Sequence, residues 1–151
     1  MLLSVLFAFL ATMAFGVLFN TPKKDLLPGG VAGALGWAVF IYMRDIWGYN
    51  SQVSNFAATV ALALLCEVFA RMFKEPVTLF SIPAIIPLVP GLPMYQGMKL
   101  LMMHAYNVGM DKLVQAALDA AFISLGILLV SSLARLFKNS QQKIKGLKVR
   151  V

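Results

Sequence analysis

Long apolar runs alternate with short polar connections along this 151-residue chain. Residues 1–19 are apolar apart from Ser4 and Thr12. As a helix they would cover ~28 Å, about the thickness of a bilayer's hydrocarbon core. No basic stretch precedes the run, so it reads as a span rather than a cleaved signal peptide. Asn20-Thr21-Pro22 ends it: asparagine accepts a helix C-cap conformation and proline cannot continue the helix. Lys23, Lys24 and Asp25 follow as a short charged loop. Residues 26–43 form a second span, with Pro28 in its first turn. Residues 44–52 turn the chain, and Tyr42, Trp47 and Tyr49 cluster there as an interfacial aromatic belt would. Residues 53–73 form the third span, with Asn55 and Thr59 on one face near its start.

The fourth apolar stretch is different. Residues 82–97 are apolar enough for a bilayer, yet they hold Pro83, Pro87, Pro90, Pro93, Gly91 and Gly97. Each proline removes a backbone donor and clashes with the turn before it, so a continuous helix is excluded. The pattern predicts two half-helices, over about 78–89 and 93–103, separated by a turn at Gly91. In lipid, broken backbone is tolerated only where protein or a water-filled cavity surrounds it, which places this stretch inside a bundle. Met94, Met98 and Met102 recur every four residues on the second half, as flexible core filling or as an adaptable contact surface. Residues 104–111 form a polar connection that holds His104, the single histidine. Residues 113–137 make the last span, interrupted by Asp119, Ser124, Ser131 and Ser132. The predicted fold is an all-α integral membrane protein of about five transmembrane helices, the fourth broken. Residues 1–137 are its membrane domain and 138–151 a basic cytoplasmic tail, disordered or bound to the membrane surface.

Composition supports this class. The chain is 60% hydrophobic and 13% charged, with mean hydropathy +0.83, beyond the range of soluble domains. The single Cys66 excludes an internal disulfide. No Cys/His cluster has metal-ligand spacing and no glycine-rich phosphate loop is present, so neither a metal nor another cofactor is expected. The net charge of +7 is concentrated after Arg135, which fits membrane orientation better than nucleic-acid binding. With the C-terminus in the cytoplasm, ten of the 13 cations lie inside. Lys23, Lys24, Arg71, Lys74 and Arg135 are the five that precede the tail; Arg44, Lys99 and Lys112 lie outside. A re-entrant fourth element would instead leave four spans and an inside N-terminus.

Several positions carry candidate chemistry. The second half-helix should begin near Gly91, and its first N–H groups and positive dipole end suit a carboxylate. Pro87, Pro90, Gly91, Leu92, Met94, Tyr95 and Gln96 are therefore the candidate substrate-binding residues. The carbonyls freed before Pro87 and Pro90 would take an ammonium, and Tyr95 and Gln96 would add polar contacts. Two charge-assisted bonds supply on the order of 3–6 kcal/mol before desolvation, and millimolar binding needs only about 4 kcal/mol. Asp119 is the candidate for proton coupling, because an apolar span favours the neutral form of a carboxylate; a hydrogen-bonded structural acid is the alternative. Glu67 and Arg71, four residues apart, read as an ion pair at the membrane edge or as gate charges. Gly29 and Gly33, with Gly36, form a small-residue face for static helix packing or for gating. One histidine, one cysteine and few buried carboxylates give no nucleophile–base pair, so an intramembrane enzyme is not expected.

The run from Pro83 to Gly91, followed by Tyr95, resembles the signature of the threonine/serine exporter family in its small, separately encoded subunit. Phe19-Asn20-Thr21-Pro22, the glycine-spaced second span and Arg71 ahead of Pro76 fit the same resemblance, which covers about residues 1–138. It implies a bacterial inner-membrane exporter component that works with a larger partner of the family and moves a small carboxylate-bearing substrate. That substrate would be threonine or serine, or a succinate-type dicarboxylate as in related two-subunit members. A purely bracing subunit, with the substrate site in the partner, is the other reading. Five short spans make a thin bundle, so association with the partner or with further copies of the chain is expected.

Overall fold

The computed structural model describes residues 1–148, with side-chain surroundings given through Leu136. The described chain is helical, without strands. Its elements are α1 (Leu2–Leu18), α2 (Lys23–Ile41), α3 (Ser51–Phe73), α4 (Thr78–Ile85), α5 (Gly91–Met102) and α6 (Tyr106–Lys148). A π turn, Tyr42–Ile46, prolongs α2, and a 3-10 turn, Ile86–Leu88, prolongs α4.

Three helices are long and apolar enough to cross a membrane alone: Lys23–Ile46, Ser51–Phe73 and Tyr106–Leu136. Helix α1 is the short one, at 17 residues. Thr78–Leu88 and Gly91–Met102 together form the broken element, bent by 48°. These five apolar elements are those read from the sequence, and the break falls at Val89-Pro90, where proline denies the helix its donors. Asn20 ends the first loop signal as expected, with a left-handed φ of 56°. Two boundaries moved. Helix α2 begins at Lys23, so Lys23, Lys24 and Asp25 are its first turn rather than a loop. Pro22 stands at the N-cap, a position that needs no donor, and Pro28 lies one turn further in than predicted. The backbone beyond residue 137 continues α6 to Lys148; the side chains of the predicted tail, and residues 149–151, lie outside the described residues.

Helix α2 is the hub and packs against α1, α3 and α4. Small residues permit this. A Cβ on Gly33 would run into the Thr12 side chain of α1, and one on Gly36 would come within 2.8 Å of Leu62 of α3. The third close approach on α2 is at Gly30, against Phe9 and Met13, whereas a Cβ on Gly29 would meet nothing within 4 Å. Helices α3 and α6 lie side by side in the same direction: Ser51 hydrogen-bonds Asp119 and Thr59 abuts Gly126. The buried apolar core takes Ala58, Leu62 and Cys66 from α3, Phe80 and Ala84 from α4, and Ile123 and Val130 from α6.

This register gathers charge at one end of the bundle. The start of α2 is tied to the segment after α3 by Lys24 and Glu75, with Nζ 2.7 Å from Oε1. Arg71 and Arg135 share a cavity at that same end. Tyr42, Arg44, Trp47 and Tyr49 lie at the far end of α2, and the two neighbouring ring pairs among its aromatics, Tyr42–Trp47 and Trp47–Tyr49, have centroids 5.8 and 5.9 Å apart. Because Asp119 is level with the first residue of α3, residues 106–118 run on past the start of α3, and α5 leans mainly on that projecting part of α6. Gly97 and Gly109 face each other there, so the two backbones approach closely.

Candidate functional site

The main concavity is a cavity of about 760 Å³ at the charged end. The last turns of α3 bring Glu67 and Arg71 to it. The connection after α3 contributes Glu75, the first turn of α4 Thr78 and Ser81, and α6 Ser131 and Arg135. Two guanidinium groups, two carboxylates and three hydroxyls thus line one space whose remaining wall is alanine, valine, isoleucine and proline. The volume suits a small metabolite.

The local fold explains the arrangement. Glu67 and Arg71 are one helical turn apart, with Arg71 Nη2 3.5 Å from Glu67 Oε2. The Arg71 side chain is 62% exposed and the pair is long, so it is worth little to stability and its charges remain open to a ligand. Lys74 takes a left-handed φ of 58° and turns the chain back, and Glu75 donates its N–H to the Ala70 carbonyl. Pro76 then starts the turn into α4. Phe80 and Ser81 return their N–H groups to the Val77 carbonyl and Leu79 to Pro76. No side chain caps α4. Its first turn therefore faces the cavity with a positive dipole end.

The residues proposed from the break lie elsewhere. Pro90 is buried and Pro87 half-buried against the bundle, but Gly91, Leu92, Met94, Tyr95 and Gln96 are exposed on this single chain. The expected inside position therefore holds for the first half of the element and not for the second. The amide donors are largely used locally. The Gly91 N–H closes a tight turn onto the Val89 carbonyl at 2.7 Å, and Met94 donates to Pro90 at 3.2 Å. Pro93 has no N–H, and Tyr95 lies inside the helix, so Leu92 is the amide left over at the start of α5. The break joins neither Asp119 nor the cavity.

Asp119 is buried at the α3–α6 seam, 3% exposed. The Ser51 hydroxyl donates to Asp119 Oδ2 at 3.1 Å, and the Asn55 amide donates to Ser51 Oγ at 3.4 Å. Asp119 thus sits at the first turn of α3, whose positive end favours a carboxylate. Oδ1 of Asp119 and Oδ1 of Asn55 are both buried without a partner among the described residues.

Sequence reasoning missed one residue altogether. Asp25 is 0% exposed, and among the described residues neither of its carboxylate oxygens has a hydrogen-bond donor. The signal was present as an aspartate three residues after Pro22 and directly before Leu26-Leu27. Two adjacent lysines made the segment look like a solvated loop.

An all-helical bundle of apolar elements, one of them broken, with a small charged cavity at one end, is the architecture of an integral membrane protein. Residues 4–133 match the family described as "Threonine/Serine exporter, ThrE", and the chain belongs to that family. No solved structure matches the chain.

Proposed function

We propose that this chain is one subunit of a secondary exporter that moves threonine and serine out of a bacterial cell, across the cytoplasmic membrane, together with a larger partner of the family. Its cavity receives the amino acid from the cytoplasm. The observation that carries this is the mixture of charge around one space: Arg71 and Arg135 with Glu67 and Glu75. A zwitterion presents a carboxylate to the arginines and an ammonium to the glutamates, while Thr78, Ser81 and Ser131 offer partners for a side-chain hydroxyl. Each hydrogen bond to a charged group contributes about 1.5–3 kcal/mol, and two suffice for the roughly 4 kcal/mol of millimolar affinity. A dicarboxylate of the succinate type would meet two like charges in the same space, so the amino acid is the favoured cargo. The gathering of Lys23, Lys24, Arg71, Lys74 and Arg135 at the cavity end supports a cytoplasmic position for that end and for the C-terminus.

The break at Val89-Pro90 is read here as a hinge that re-aims α5, and the exposed Leu92, Met94, Tyr95 and Gln96 as a surface the partner covers. Asp119 couples export to a proton, its buried Oδ1 being the position that loads. The test is export of labelled threonine, serine and succinate from cells that make this chain alone, the partner alone, or both. Amino-acid export only with both supports a shared path. Full export by the partner alone reduces this chain to a brace.

A further inference from the structure

We infer that Glu75 is the subsite for the cargo's ammonium group, and that Lys24 holds this place until the cargo displaces it. This rests on the exporter reading of the same cavity. Two glutamates line that space, and each has a cation. Glu67 serves Arg71, one turn further along the same helix and also part of the cavity wall, at 3.5 Å. Glu75 is paired from outside the wall: Lys24 reaches it from α2, 51 residues away in the chain, with Nζ 2.7 Å from Oε1. A lysine side chain ends in a primary ammonium, the group an amino acid carries on its α carbon. The chain's own ammonium thus sits on Glu75 in good hydrogen-bond geometry, as a stand-in for that of the cargo. Arg135 lines the same space and has no carboxylate partner among the described residues, which leaves it for the cargo's carboxylate.

The frame of this pair is fixed and its lysine is loose. Glu75 rides on a tight turn: Lys74 has a left-handed φ of 58°, the Glu75 N–H donates to the Ala70 carbonyl at 3.1 Å, and Pro76 follows. The first turns of α2 are locked onto α1, where Leu26 packs against Gly16 and Gly30 against Phe9 and Met13. Only the flexible stem of Lys24 is free to swing. Its side chain is 60% exposed, so a released ammonium passes to water at little cost. A cargo ammonium arriving beside Lys24 sets two like charges on one carboxylate, and the one with water at hand leaves. The exchange is reciprocal: Lys24 weakens the hold on the cargo by the factor by which the cargo weakens the hold on Lys24. It also unties the turn that carries Glu75 from α2, so the cavity edge is fastened to the hub helix until cargo arrives. Succinate has no ammonium and leaves the fastening in place.

Amine acylation of membranes holding this chain and its partner, read by mass spectrometry, tests the exchange, with the exposed Lys23 as reference for Lys24. Glu75→Gln should raise the ratio of Lys24 to Lys23 labelling and set its ceiling. In the wild-type complex, saturating threonine should move the ratio toward that ceiling, and succinate should leave it unchanged. A ratio that threonine does not move, in a complex that exports threonine, overturns the inference and leaves the exporter reading intact. A ratio that Glu75→Gln does not raise, or that succinate raises as much as threonine does, overturns it equally. If wild-type cells with the partner export no threonine, the exporter reading itself fails and the assignment falls with it. Transport gives a second readout. Lys24→Met should lower the half-saturating threonine concentration by roughly two- to fivefold, the scale of an exposed ion pair, and Lys24→Arg should keep the wild-type value. An unchanged or raised value in Lys24→Met contradicts the competition.

Discussion

Asp119 and Asp25 are both buried acids near the start of a helix, yet the molecule treats them oppositely. Asp119 lies at the first turn of α3 and accepts a hydrogen bond from Ser51, which in turn is fixed by Asn55. Asp25 belongs to the first turn of its own helix, is more completely buried, and receives no donor among the described residues. The first is built into a polar seam, the second is fully buried without a donor among the described residues. Burial alone therefore does not say what a membrane carboxylate does; the donors around it do. A partnered acid is held in place and is costly to remove, whereas an unpartnered buried one costs little to replace by an apolar side chain.

That contrast can be broken at several points. The largest effect is expected where the seam that encloses Asp25 is forced apart. Gly33→Leu drives a side chain into Thr12 of α1, and overpacking of this kind costs about 1–3 kcal/mol or more. Thermal unfolding in detergent should show it as the least stable variant. Next comes Asp119→Val, which leaves the Ser51 hydroxyl without its acceptor; a loss of about 1–3 kcal/mol is expected in the same assay. Asp25→Val is predicted to lie within about 1 kcal/mol of wild type, or above it, since exchanging an unpaired buried polar group for an apolar one of similar size is neutral or stabilising. Equal destabilisation by the two valine variants would abolish the distinction. The smallest effect belongs to Glu75→Gln. It breaks an ion pair whose lysine side chain is 60% exposed, so stability should hardly change while the rate of transport changes.

The sequence was most informative where chemistry restricts the backbone. Prolines at 83, 87, 90 and 93 located the break to within a residue or two, and Asn20 marked a helix end because asparagine accepts the left-handed conformation found there. The Glu67–Arg71 pair was legible because four-residue spacing is a property of one helix. The cavity was not, since Arg135 meets Arg71 only through the packing of α3 on α6, more than sixty residues away in the chain. Asp25 was hidden by its neighbours: three consecutive charged residues resemble a loop, and only the fold turns one of them inward while Lys24 points out. The outward position of α5 was equally invisible, because hydropathy does not distinguish an apolar face buried in its own bundle from one offered to lipid or another subunit.

In the proposed function the cavity recognises a zwitterion through opposite charges on α3 and α6. Its most direct test is export of labelled threonine and succinate from cells with the partner present and this chain as wild type, Arg135→Ala or Glu67→Gln. Arg135→Ala is expected to lose threonine export, and Glu67→Gln to lose threonine export while tolerating succinate better than the wild type does. Unchanged threonine export in both variants would contradict it.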